Sequence, residues 1–118
     1  MTDPSTSTPQ PLARAQFHVL LALADGPRHG WAIREHAAAL SGGAVRLGPG
    51  TLYEAMERLE ERGLIEETAT PAGESEHAQR RYYAITGAGL TALRAELGRL
   101  GEVLRWAESR GLGSGGAG

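Results

Sequence analysis

A mainly α-helical fold with a small β-hairpin is what this sequence predicts: a winged helix-turn-helix followed by a long C-terminal dimerisation helix. Three observations carry that expectation. The run LGPGTLYEAMERLEERGLI, residues 47–65, reads as one short amphipathic helix with an entrance, a stop and a strand behind it. Two helical segments precede it and two strand-like runs follow, the order of a helix-turn-helix with a wing. The last helix carries leucines at heptad spacing.

The elements follow in chain order. Residues 1–11, MTDPSTSTPQP, are small, polar and proline-rich, the composition of a disordered arm. A first helix is expected over about residues 12–24, with Phe17, Leu20, Leu21, Leu23 and Ala24 inward and Gly26-Pro27 as its end. A second covers about residues 29–40, with Trp31, Ile33, Ala37 and Leu40 as its apolar set, and Ser41-Gly42-Gly43 break it. The third runs from Pro49 to Arg62. Pro49 and Gly50 stand at its entrance, where a missing N–H is no loss. Leu52, Met56 and Leu59 share one face, and Gly63 is a left-handed stop.

A strand is expected over residues 64–70, a polar loop over 71–79 and a second strand over 80–86. Within the second strand, one of Tyr82 and Tyr83 faces the core and the other the surface or a partner chain. Thr86 caps a fourth helix from residue 87 to about 110, and GLGSGGAG, residues 111–118, is a flexible tail. The winged unit thus occupies residues 12–86 and the dimerisation helix residues 87–110.

Composition narrows the function classes. A length of 118 residues is that of a single domain with a small core. The absence of cysteine removes disulfides, thiolate nucleophiles and cysteine-ligated zinc, and suits a cytoplasmic protein. No leader pattern and no membrane-length apolar run are visible, so no membrane partner is expected. All twelve basic residues are arginine, which forks to phosphate and guanine, although a GC-rich genome produces the same bias. The net charge of −2 argues against a nucleic-acid partner unless the positive charge is concentrated in one place.

Leu90, Leu93, Leu97, Leu100 and Leu104 form a three-four seam on the fourth helix, widened by Val103 and Trp106. Left in water it would be an aggregation hazard. A twin helix from a second subunit covers it, giving a homodimer; packing onto the chain's own core is the alternative. A twofold dimer would set two copies of the third helix about 34–36 Å apart, one turn of double-stranded DNA.

Candidate DNA contacts lie on the third helix and the wing. Thr51 stands in the first turn, where free N–H groups suit phosphate, and it can also touch a thymine methyl. Tyr53 either bonds phosphate or packs under the wing. Arg58 either reaches guanine or phosphate or pairs with Glu54, four residues before it. Arg80 and Arg81 open the second wing strand and are placed for phosphate or the minor groove, or else divide between an acid and water. Glu54, Glu57, Glu60 and Glu61 are read as solvated.

Enzymatic and metal chemistry find no support. His29 and His36 are seven apart on one helix, yet no third ligand has matching spacing, so no metal is expected. The glycine-rich run GGAVRLGPGT lacks the lysine of a phosphate loop and has no strand before it. No Ser/His/Asp trio is indicated, and neither an enzyme nor a cofactor is expected.

Three blocks together resemble the PadR family of bacterial transcriptional regulators: LLALADGPRHGWAI at 20–33, LGPGTLYEAMERLEERGLIEE at 47–67 and RRYYAITGAGLTAL at 80–93. The resemblance spans roughly residues 12–105. It implies a winged-helix dimer that represses genes and is released by a small aromatic or drug-like effector, in the subgroup with one C-terminal helix. It places Pro49, Gly50, Thr51 and Tyr53 at the recognition-helix entrance, Arg80 and Arg81 on the wing, and Leu93, Leu97 and Leu100 on the dimer helix. Trp106 then either lines an effector pore or packs in the dimer. Trp31 stands where the family usually has tyrosine, and Glu57 where a basic residue is common. A reading from another class is a winged-helix adaptor that binds protein through its acidic third helix and does not bind DNA.

Overall fold

The computed structural model describes residues 11–71, 73 and 80–112. The expected arm lies outside these residues except for its last position, as do residues 113–118 of the tail and most of the wing loop. The described chain runs α1 (Arg14–Leu23), β1 (Arg28–His29), α2 (Gly30–Leu40), α3 (Pro49–Glu61), β2 (Ile65–Thr68), β3 (Tyr82–Ile85) and α4 (Gly87–Glu108). Three short helices enclose the core, the sheet closes one side, and α4 leaves the body of the fold.

The hairpin is a three-stranded antiparallel sheet in the order β1-β3-β2. In β2 and β3, Ile65 stands opposite Ile85 and Thr68 opposite Tyr82. The added strand, β1, pairs Arg28 with Tyr83 and His29 with Tyr82. A two-residue strand has no period of its own and exists only through its partner. His29 therefore precedes α2 instead of beginning it. Its Nδ1 accepts the N–H of Ala32 at 3.3 Å and caps the helix. The alignment of His29 and His36 on one helix is thus corrected.

Helix α3 follows its sequence signals closely. Gly48 is the N-cap and Pro49 the first residue. Leu52, Ala55, Met56 and Leu59 are buried. At the far end Gly63 adopts φ +73°, its N–H donates to Glu60 O at 2.9 Å and that of Leu64 to Leu59 O at 2.9 Å. This left-handed cap satisfies two terminal carbonyls and turns the chain into β2.

The core joins Val19, Leu20, Ala22 and Leu23 of α1 to Ile33 and Ala37 of α2, the buried face of α3, Leu64, Ile65, and Ala92 and Leu93 of α4. Phe17 and Leu21 are partly buried against it, whereas Ala24 is exposed at the end of α1. Helix α2 departs most from its expected pattern. Ile33 and Ala37 are inside, but Trp31 is 59% and Leu40 57% exposed. Trp31 is two residues from Ile33, about 200° around a helix, so the two cannot share a face. Leu40 is in phase with Ile33 but sits on the last residue of α2 and reaches past the packed region.

Thr86 fastens α4 to the wing. Its hydroxyl donates to Gly63 O at 2.6 Å and accepts the N–H of Gly89 at 3.0 Å, while its own N–H donates to Leu64 O at 3.0 Å. Gly89 is buried there, and a Cβ on it would run into the carbonyl oxygen of Leu64 and stand 2.7 Å from Ile85 Cγ1. Lower on α4, Glu96 accepts the N–H of Leu12 at 3.1 Å and Arg99 Nη2 at 2.6 Å. These bonds, led by the one from Arg99, hold its carboxyl below the ordinary range.

Along the leucine seam, Leu93 is 4% exposed and belongs to the chain's own core, and Leu90 is half-buried. Beyond them Leu97, Leu100 and Leu104 are each between 44% and 49% exposed. The seam therefore starts under the fold and runs out of cover. No helix among the described residues is long and apolar enough to cross a membrane.

Candidate nucleic-acid interface

Helix α3 buries one side and offers the other to solvent. Pro49, Gly50, Thr51, Tyr53 and Arg58 are all exposed, as are Glu54, Glu57, Glu60 and Glu61. Two flanks can be told apart from the helical period. Thr51 and Arg58, seven residues apart, lie nearly in line, while Tyr53 projects from the opposite flank. The carboxylates of Glu54, Glu57 and Glu61 occupy the strip between them. No ion pair joins Glu54 to Arg58; among the described residues the pair within ion-pair distance is Glu96 with Arg99.

Tyr53 borders a cleft of about 450 Å³ formed by the start of α2, the outer flank of α3 and the wing. His29, Gly30 and Trp31 line it from one side, Tyr53 and Met56 from the second, and Arg80, Arg81 and Tyr83 from the third. The register explains the wing's share: in β3 Tyr82 is 3% exposed with its ring edge-on to His29 at 5.3 Å, so Tyr83 points the other way. Burial pushes the Tyr83 phenol above its ordinary value, helped by the Glu60 carboxylate and opposed by a hydrogen bond from Arg81. Tyr83 is therefore a neutral hydroxyl at ordinary pH. Arg80 Nη1 lies 3.5 Å from His29 Nε2.

The cleft has guanidinium groups on one wall and aromatic rings on the other, a setting for an anion attached to an apolar body. It gathers Tyr53, Arg80 and Arg81 from the sequence-predicted set. Thr51 and Arg58 stand outside it, and Pro49 borders a smaller neighbouring cleft with Trp31, Arg34, Leu52 and Tyr53. Three residues of this face are absent from the contacts expected from the sequence: Trp31, Arg34 and Tyr83. Arg34 lays its guanidinium 5.3 Å from the Trp31 ring centre and donates from Nε to Leu47 O at 2.8 Å. The spacing of Trp31 and Arg34, three apart at a helix start, was the available signal.

The opposite end of the molecule carries the other candidate positions. Leu97, Leu100 and Leu104 form an exposed ridge with Val103, 63% exposed. Trp106 is 56% exposed, with the Arg110 guanidinium 4.3 Å over its ring. Among the described residues no group of three or more histidine or acidic side chains could hold a metal ion.

Comparison with known proteins identifies the family and the fold. The model of the transcriptional regulator PadR-like family matches residues 19–95, which hold α2, α3, the sheet and the first turns of α4. An uncharacterized 37.1 kDa protein in a Streptomyces fradiae transposon is 43% identical over 82 residues. That match takes in 70% of this chain but only 21% of the relative, so the chain spans about a fifth of that protein's length. Among solved structures, a transcriptional regulator from Clostridium thermocellum superposes with a TM-score of 0.67 at 21% identity, covering 80% of this chain and 87% of that one. A PadR family regulator from Clostridium difficile gives 0.66 at 21% identity over 82% and 97%. PadR of Bacillus subtilis, solved in complex with operator DNA, gives 0.58 at 21% identity over 70% and 45%. At such identities the likeness is one of fold, and the fold is the winged helix of these regulators. The family match extends over more than half of the sequence, and the chain belongs to the transcriptional regulator PadR-like family.

Proposed function

We propose that this protein is a homodimeric, sequence-specific regulator of transcription that binds double-stranded DNA, represses, and is released by a small aromatic or drug-like effector. The observation that carries the DNA reading is the arrangement of α3 beside the wing. Tyr53, in the second turn of the 13-residue helix α3, stands across one cleft from Arg80 and Arg81, and the exposed entrance residues Pro49, Gly50 and Thr51 precede it. Although the whole chain is slightly acidic, these cations share one edge. Thr51 and Arg58 extend the contact along the other flank of α3, with Arg58 free of Glu54 and able to reach a base edge or phosphate. The complex of Bacillus subtilis PadR with operator DNA supports the reading by analogy of fold.

The homodimer reading rests on the ridge of Leu97, Leu100, Val103 and Leu104, which nothing in the chain covers among the described residues. A second copy of α4 against it buries the ridge and sets two copies of α3 on one face. Trp106 at the end of that helix is the candidate effector contact, its ring already engaged by Arg110. An effector acts here by favouring one separation of the two heads over another.

A mobility-shift titration against the DNA upstream of the protein's own gene tests the central claim. Tight binding that survives excess non-specific duplex is expected. Replacing Arg80 and Arg81 together by alanine should lower the salt dependence by about two counterions, the number of phosphate contacts removed. An unchanged slope removes both from the interface. The acidic strip of Glu54, Glu57 and Glu61 keeps a protein-binding adaptor as the second reading, and loss of all salt-dependent DNA affinity would favour it.

A further inference from the structure

Trp31 is the large apolar side chain that the fold leaves in water next to the cleft. It is 59% exposed, yet it is not loose. Arg34 stacks 5.3 Å from its ring centre, and Arg34 is itself tethered to the carbonyl of Leu47 at 2.8 Å. The indole is thus held in place at the surface, where it contributes little to burial. Its surroundings name a use. With Tyr53 it lines the aromatic side of the 450 Å³ cleft, and Arg80 and Arg81 line the cationic side. Cations facing a flat apolar ring match one repeat of a nucleic-acid backbone, a phosphate joined to a deoxyribose whose ring carbons are apolar.

We propose that Trp31 is a DNA-contact residue: the cleft seats the backbone of one strand, with phosphate against Arg80 and Arg81 and the deoxyribose face against the indole. The proposal rests on the DNA-binding reading and deepens it. Arg34 is a positioning residue, since it fixes the indole without entering the cleft. The contact carries no base information, because sugar and phosphate are alike at every position. Being uncharged, Trp31 releases no counterion, so it adds affinity without adding salt dependence. The second property sets it apart from every arginine on the same face.

The chain has two tryptophans, and Trp106→Phe leaves Trp31 as the sole one. That variant is titrated at low salt with a mixed-sequence duplex, and the indole emission is followed beside the anisotropy of the labelled duplex. Emission from Trp31 is expected to change along the same curve as the anisotropy. Trp31→Ala is expected to bind the duplex roughly tenfold more weakly with an unchanged salt slope, and Trp31→Phe to retain most of the affinity. If the duplex binds while the emission stays constant and Trp31→Ala binds like the wild type, the seat is overturned and the DNA reading stands. If no duplex binds at any salt, both fall. Should Trp31→Ala fail to fold, the emission titration on the intact indole decides alone.

Discussion

Replacing Gly89 by alanine should destabilise the protein, although the same change in an ordinary helix stabilises it. Gly89 lies in the first turn of α4 with a φ in the usual helical range, so alanine brings no backbone strain and a propensity gain of about 1 kcal/mol. Space decides the other way. The new Cβ would meet the carbonyl oxygen of Leu64 and come within 2.7 Å of Ile85 Cγ1. The Ile85 side chain can shift, but the Leu64 carbonyl is fixed, since it accepts the Thr86 N–H at 3.0 Å and its residue's own N–H is bonded to Leu59. Overpacking against backbone costs up to about 3 kcal/mol. Distorting the Thr86–Leu64 hydrogen bond adds about 1 kcal/mol. The net expectation is a loss of about 3 kcal/mol, or a fall in Tm of roughly 10 °C or more.

Gly98, nine residues further along the same helix, is the internal control. A Cβ there meets nothing within 4 Å, so Gly98→Ala should raise Tm by a few degrees, from about 0.5–1 kcal/mol of helix propensity. Both variants are melted by circular dichroism at one protein concentration, which holds any subunit association constant. Opposite signs are the result expected. A Gly89→Ala protein that melts at or above the wild type would refute the close packing of α4 on Leu64 and β3.

Further outcomes follow from the ridge, the histidines and the acid side. Leu100→Gln combined with Leu104→Gln should convert a dimer to a monomer by light scattering while helicity persists; each leucine is used twice in a twofold seam, which makes the loss several kcal/mol, and an unchanged mass would remove α4 from the interface. His18 and His36 each have a buried Nδ1 without a hydrogen-bond partner. Burial, with Arg14 and His36 adding to it, lowers the His18 pKa below 6.5. Neutral His18 therefore belongs to the folded state, and its contribution is complete above pH 6.5 and is lost as pH falls through the lower, folded value. His18→Gln should flatten that decline in Tm, and a slope equal to the wild type's would assign it elsewhere. Glu96, held low by Arg99 and the Leu12 N–H, behaves alike in a more acidic window: its contribution is present above pH 4.5 and disappears below, and Glu96→Gln should abolish that acid step.

The parts legible in the sequence are those with local causes. Pro49 at the entrance of α3 and Gly63 at its exit announce the helix regardless of what surrounds it, and Thr86 announces α4 in the same way. The strand β1 was illegible because its two residues owe their conformation to Tyr82 and Tyr83, more than fifty positions away. Trp31 joins the apolar set of α2 by hydrophobicity but not by phase, and its position two residues before Ile33 already points outward. The seam on α4 could be seen as a stripe, but where the stripe passes from shelter to exposure, between Leu93 and Leu97, depends on how far the body of the fold reaches. Of the candidate interface, the arginines and the start of α3 could be named from the chain, whereas their meeting around one cleft required the register of β3.

Thr86 ties three parts of the molecule at one point: the exit of α3 at Gly63, the residue leading into β2 at Leu64 and the first turn of α4 at Gly89. A tilt of α4 at this joint would bear on all three hydrogen bonds at once, so the attitude of the last helix and that of α3 and the wing meet in a single residue.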